Sequence, residues 1–268
     1  MAAADMPSTQ RVLDVLITTI LAVAAPTAVG AAPCAFAEQG DGRATEVVDG
    51  RSFRLADGRE IRLVGIEPAS VDGGTTPADA LAELVRGRDV VLRGTDDAPD
   101  RYGRQSAFVF VADSDVLVQH ELLARGEALL AADVTDKDCA ATLAAAESEA
   151  RSARRGIWSS ATVIKSAESP ADILTGIGRF TVVEGKVLSV RQAGTTTYLN
   201  FARNWTRGFA VTISRRVLPA FEAAGLAMKS LEQRRIRVRG WVEARPGSNS
   251  GPRIDVAKVA QIEILSSN

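Results

Sequence analysis

Three arginines and a few acidic side chains stand within short stretches of this chain. Arg51 follows Asp49-Gly50, Arg62 opens the segment Arg62-Leu63-Val64-Gly65-Ile66-Glu67, and Arg104 closes Asp100-Arg101-Tyr102-Gly103-Arg104. A guanidinium is a planar fork that stays charged and can meet two phosphate oxygens at once. Such a set can hold a phosphate. Breaking a phosphodiester asks for more, because hard cations such as calcium take several oxygen ligands and the attacking water needs a proton acceptor. Arginines without suitably placed carboxylates bind the group but do not cleave it. The single histidine, His120, falls in a predicted helix with no path to these residues, and reads as a surface or packing residue.

The elements that must carry these residues are mostly short strands. Thr45 to Val48, Ser52 to Leu55, Glu60 to Ile66, Asp89 to Arg93 and Ser106 to Val111 are separated by the turn signals Asp49-Gly50, Asp57-Gly58 and Tyr102-Gly103. Helices are predicted at Pro77 to Val85, at Val118 to Arg125 before Gly126, and at Asp136 to Arg154 before Gly156, the last with Leu143, Ala146, Ala150 and Ala153 at core-facing spacing. Five strands with one inserted helix suggest the oligonucleotide-binding (OB) barrel plan. The expected class is α+β, mainly β: an OB barrel with three helices over residues 38–160, a linker at 161–178, and a second five-stranded OB-like barrel with one helix over 179–268. The second barrel takes strands at Phe180 to Val190, Thr196 to Phe201, Gly208 to Ile213, Arg235 to Glu243 and Arg253 to Leu265, with a helix from Arg215 to Leu231.

Four blocks in order, Asp49-Gly50-Arg51-Ser52, Ile61 to Glu67, Asp100 to Arg104, and Ala146-Glu147 to Gly156-Ile157-Trp158, resemble the staphylococcal nuclease (thermonuclease) family over roughly Ala44 to Trp158. The resemblance implies that Arg62 and Arg104 match the arginines that bind the phosphate and stabilise its transition state. It also implies a calcium ligand at the position of Arg51, a second ligand at Glu67, and a general base at the position of Ser70. Calcium is expected from the family, yet its ligand set is not intact, so no metal or cofactor is assigned. Asp49 and Asp100 line the same site, and Asp72, Asp97 and Asp100 are the carboxylates from which a replacement base would come. The expected arrangement is the Arg51 guanidinium in the metal's place, paired with Glu67.

In the second barrel Tyr198, Phe201 and Trp205 with Arg203 and Arg207 form a candidate stacking and phosphate-contact surface for single-stranded nucleic acid, set against ordinary core and solubilising roles. Along Arg234 to Arg239, alternation places Ile236 and Val238 inward and Arg235, Arg237 and Arg239 on an outer basic face. Residues 1–165 carry 17 Lys and Arg against 25 Asp and Glu, a net of −8, and the remainder a net of +7. Opposite charge can steer the halves together, or make the second the better face for an anion.

At the start, the apolar run Val15 to Ala25 after Arg11, followed by Pro26 and small residues to Ala37, reads as a signal peptide within residues 1–37, with an uncleaved membrane anchor as the alternative. Export to the periplasm or medium would let the two cysteines, Cys34 and Cys139, form a disulfide if cleavage leaves Cys34 in place. Three function classes remain: an inert phosphate-, nucleic-acid- or protein-binding module, an exported phosphodiesterase with a remodelled site, and a structural envelope protein in contact with other envelope proteins.

Overall fold

The computed structural model describes residues 1–2, 34–69, 73–245 and 250–265. The apolar run Val15 to Ala25, Ser70 and Asp72 lie outside the described residues. The chain is mixed α+β and strand-rich, built as two strand rings in succession.

The first ring is made of β1 (Ala37–Asp49), β2 (Ser52–Leu55), β3 (Glu60–Leu63), β5 (Asp89–Gly94) and β6 (Arg104–Val111), with β4 (Ile66–Pro68) leaving it after β3. β1 is long enough to pair with β5 along its first half and β2 along its second, and a parallel β3–β6 pairing closes the barrel. α1 (Pro77–Val85) crosses between β4 and β5, and Thr76 caps it by accepting from the Asp79 amide. Beyond β6, β7 (Val116–Leu117) leads into α2 (Val118–Arg125), which stops at Gly126 in the left-handed region. β8 (Ala128–Leu130) then pairs with β4, and α3 (Lys137–Ser152), capped by Asp136, packs behind. Phe53, Ile61, Leu81, Leu92 and Leu143 lie fully buried in this core.

The stretch expected to be a linker is built into the second barrel. It carries β9 (Ile164–Ser166), which pairs in parallel with β10 (Phe180–Lys186), and α4 (Pro170–Leu174), whose Ile173 is buried in the second core. β10 bends at Val187-Leu188 into β11 (Ser189–Ala193), and from there the order runs through β12 (Thr196–Asn200), β13 (Ala210–Ser214), β15 (Pro252–Val256) and β14 (Arg235–Ala244) back to β10. β13 and β15 pair in parallel, as β3 and β6 do in the first ring, so both barrels share one strand order. The helix expected from Arg215 to Leu231 is shorter. α5 (Leu218–Ala223) ends before Gly225, whose φ of +75° no helix continues, and a 3-10 turn follows at Met228–Leu231. The last expected strand is likewise divided, into β15 and β16 (Ile262–Ile264), by a 3-10 turn at Val259–Gln261.

Ala32–Asn268 is one compact unit. An apolar cluster of Leu129, Ala150, Ile157, Trp158 and Val182 joins the two barrels. Among the described residues no helix is long and apolar enough to cross a membrane.

Candidate functional site

The site is built where the first barrel closes. The β1–β2 turn is a two-residue hairpin, Gly50-Arg51, whose ends Asp49 and Ser52 pair directly, and Asp49 Oδ1 accepts from the Arg51 amide at 2.8 Å. A Cβ on Gly50 would overlap Pro68 and Pro77, so only glycine lets the turn press against β4 and the start of α1. That approach brings Arg51 to Glu67. Glu67 gets there because Gly65, at φ +85°, breaks β3 and redirects the chain into β4.

The Arg51 guanidinium donates to Glu67 Oε1, and both side chains are largely buried. Burial pushes the Glu67 carboxyl up from its ordinary value, while the charges of Arg51 and Arg62 and the Arg51 hydrogen bond pull it back; burial prevails.

Arg104 begins β6 opposite Glu60, and Arg62 lies two places further along β3, opposite Ser106. Register therefore puts both arginines on one face of neighbouring strands. The Asp100 loop orients Arg104: Oδ1 accepts from the amides of Tyr102 at 2.8 Å and Arg104 at 3.1 Å, and Oδ2 from Arg104 Nε at 3.0 Å and Nη2 at 2.7 Å. These bonds, the Arg104 side chain foremost, hold the Asp100 carboxyl down at about 2. Tyr102 stands exposed beneath Arg101 and Arg104, whose guanidinium carbons lie 4.6 and 4.9 Å from its ring centre.

Arg62 differs from its neighbours. It makes no side-chain hydrogen bond or ion pair among the described residues, while each carboxylate around it is engaged elsewhere: Glu67 with Arg51, Asp100 with Arg104, Glu60 with Arg54 at 3.5 Å, and Asp49 with a backbone amide. Burial lowers the Arg62 pKa, and the cations Arg51 and Arg104 add to that, against the opposing pull of Glu67 and Asp49. Half-buried and without a direct partner among the described residues, it is the guanidinium of the group whose hydrogen-bonding capacity is left open.

Residues 60–160 match the family model described as staphylococcal nuclease homologue. This stretch is a staphylococcal-nuclease-like domain. No curated protein matches the chain. Of the residues assigned from the sequence, the nuclease-family domain brings Arg51, Arg62, Glu67, Asp49, Arg104 and Asp100 to one end of the barrel. Asp97 is exposed and makes no side-chain bond among the described residues, and His120 sits half-buried on α2, away from the charges that act on Arg62.

A cleft of about 1180 Å³ runs from Arg51 and Glu67, past Leu129, to Lys165, Arg179 and Trp241 of the second barrel; Arg62 and Arg104 lie outside its lining. Sequence reading placed nothing of the second barrel beside the site. It also gave the β14 arginines an outer basic face, which needs correction. Arg237 and Arg239 do point away from the barrel interior, yet both are buried because partners cover them: Glu184 and Glu263 hold Arg237, and Glu147 of α3 holds Arg239. In the β12–β13 region, Phe201 belongs to the core, tilted against Phe209 with ring centres 5.0 Å apart, so it is removed from the stacking surface. Arg203 and Arg207 are exposed, and Tyr198 and Trp205 line a separate pocket.

Proposed function

We propose that the first barrel is a nuclease-family scaffold that holds a phosphate group, of a nucleic acid or another phosphate-bearing anion, at Arg62 without hydrolysing it. The reading rests on Arg62, the one guanidinium of the group with no direct partner among the described residues. Arg104, held by Asp100, adds a second positive edge on the same strand face.

The donor set does not fit calcium. Glu67 is bound by Arg51, Asp49 is turned to a backbone amide, and among the described residues no three His, Cys, Asp or Glu side chains are grouped for a metal. Asp100, held at about 2, is too weak an acceptor to activate water, and the position to which the family resemblance gives the general base carries a serine, a weaker acceptor than a carboxylate. Export from the cytoplasm completes the reading, supported by the Cys34–Cys139 bridge, since such bonds persist in oxidising compartments.

The test is a zymogram of the full chain with DNA and RNA, with and without calcium, beside oligonucleotide binding followed across a salt series. The expected result is no clearing on either gel, and binding that Arg62→Gln weakens while lowering the salt slope by about one. Clearing would return the site to the phosphodiesterases; binding indifferent to Arg62→Gln, or absent, would leave the barrel to protein contacts.

A further inference from the structure

The second barrel carries a pocket of about 590 Å³, within the range of small-molecule sites, lined by Arg191, Tyr198, Asn200, Trp205, Arg245 and Arg253 among others, with no acidic side chain in its described lining. Register explains how the chain assembles it. Arg191 on β11 faces Tyr198 on β12, Ser189 faces Asn200 on the same side, and Arg253 on β15 sits opposite Ala210 on β13, which pairs with Asn200. Alternate residues of four neighbouring strands thus converge on one outer face.

The β12–β13 loop supplies the indole. Trp205 is 58% exposed, an unusual position for so large an apolar surface. The loop beneath it is fixed nonetheless. Arg245 donates from Nη1 to Trp205 O at 2.7 Å, from Nη2 to Thr206 O at 3.0 Å and Gly208 O at 2.5 Å, and from Nε to Gly251 O at 3.1 Å. The Gly251 amide returns a bond to Thr206 O at 2.8 Å, and Asn204 Oδ1 accepts from the Thr206 hydroxyl at 2.7 Å. One half-buried guanidinium therefore ties the β12–β13 loop to Gly251, and it has no carboxylate partner among the described residues.

The charges are unequal. Arg253 is neutralised by Glu243, from Nε at 3.0 Å and Nη2 at 2.8 Å, and stands 3.9 Å from Asp255. Arg191 is exposed and unpaired among the described residues, and Arg245 is a fixed cation held only by carbonyl dipoles. Asn200 is 3% exposed; its Nδ2 donates to Ser189 Oγ at 3.3 Å, and its Oδ1 has no partner among the described residues. Tyr198, half-buried beside Arg245 and Arg253, makes no side-chain hydrogen bond there either.

We infer that this pocket is a nucleotide site, in which the ring stacks on Trp205 and Tyr198, its polar edge meets Asn200, and the phosphate meets Arg191. Aromatic rings pair with bases of any identity through their faces, and nearby guanidiniums take the charge. A loop already fixed before the ligand arrives spares the ordering cost of binding. This site stands apart from Arg62, so either can fail while the other holds.

The experiment titrates the full chain by calorimetry with adenosine monophosphate, adenosine, inorganic phosphate and an oligothymidylate. Trp205→Leu and Arg191→Gln alter exposed side chains, and their unfolding midpoints check that the fold is kept. The nucleotide binds more tightly than nucleoside or phosphate alone, and each of these two substitutions weakens it by about tenfold or more. Arg62→Gln, which disables the other site, leaves that binding in place. Equal affinity for monophosphate and oligomer identifies a free nucleotide as the ligand, and binding of the oligomer alone identifies a strand. Failure of both to bind, affinity untouched by Trp205→Leu, or loss only with Arg62→Gln overturns the inference.

Discussion

Arg239 of the second barrel and Glu147 of the nuclease-family domain form a buried ion pair, with Nη2 2.9 Å from Oε2 and Nη1 3.1 Å from Oε1. Their side chains are 7% and 2% exposed. The pair also closes the backbone of β8: the Leu130 amide donates to Glu147 Oε1 at 2.8 Å, and Leu130 O accepts from Arg239 Nη1 at 2.8 Å. Leu129, one residue back, is the β-partner of Glu67. The second barrel is therefore fastened one strand away from the site.

Arg239→Met leaves the buried Glu147 carboxylate with the Leu130 amide and the more distant Arg151, 3.9 Å away, and is expected to cost about 3 kcal/mol of stability, the lower end for a broken buried pair, read from denaturant midpoints. Adding Glu147→Leu recovers only part of this, because Leu130 keeps an unpaired amide and carbonyl, a penalty of about 1 to 3 kcal/mol each. A single transition shared by both barrels in the native chain, and two transitions in Arg239→Met, is the matching calorimetric outcome. An Arg239→Met protein as stable as the native one would show that the pair does not fasten the barrels.

The disulfide joins the entry to β1 with α3. Cys34 and Cys139 have Cα atoms 4.5 Å apart and are separated by 105 positions. Closing so long a loop restricts the unfolded chain by roughly 4 to 5 kcal/mol in the chain-entropy model. Dithiothreitol is expected to lower the unfolding midpoint of the native protein and to leave a Cys34→Ser, Cys139→Ser protein unchanged. Equal midpoints with and without reductant in the native protein would contradict the bridge.

Two carboxylates give the acid side of the stability profile opposite slopes. The folded pKa of Glu67 lies above its unfolded value, so its contribution is complete below the unfolded pKa and is lost as pH rises through the folded one. Asp100 is held at about 2, below its ordinary 3.8, so its contribution is present above 3.8 and is lost as pH falls toward 2. Glu67→Gln should remove the decline on raising pH, and Asp100→Asn should flatten the decline on lowering it. Urea melts across the acid range read both slopes, and a native profile parallel to both variants would refute the assignment.

Much of the first barrel was legible because its elements announce their ends: Thr76 and Asp136 cap helices, Gly126 stops one, and Asp57-Gly58 turns a hairpin. The first half of β1 was not. Gln39-Gly40-Asp41-Gly42 has no apolar alternation, and it is a strand only because β5 pairs with it. Alternation on β14 correctly told the inner face from the outer, but it cannot report what covers the outer face: Glu184 and Glu263 of the same barrel bury Arg237, and Glu147 of the other domain buries Arg239. The same limit hid the second pocket, whose Arg191, Arg245 and Arg253 come from separate segments with no shared motif. The meeting of Arg51 with Glu67 was readable from the resemblance, which sets the block that carries Arg51 beside the one that carries Glu67.

That ion pair yields the last prediction, which concerns metal. In the native protein, Arg51 places a positive charge directly on Glu67, the one buried carboxylate among the described residues of the site, so a divalent cation would have to displace a guanidinium and accept one ligand in return. Calcium should leave the native unfolding midpoint unchanged. Arg51→Asp releases Glu67 and adds a second carboxylate beside it, near Asp49 on the same turn. Calcium should then stabilise the variant by mass action, by about 2.7 kcal/mol once it reaches a hundredfold excess over its Kd. Thermal scans with and without calcium read the difference, with magnesium as the comparison ion. Combining Arg51→Asp with Ser70→Glu adds a base and should raise nuclease activity from near zero. Calcium stabilisation of the native chain would show that Arg51 does not block the position; a stabilised but hydrolytically silent double variant would show that the metal ligand and base are not the only groups missing.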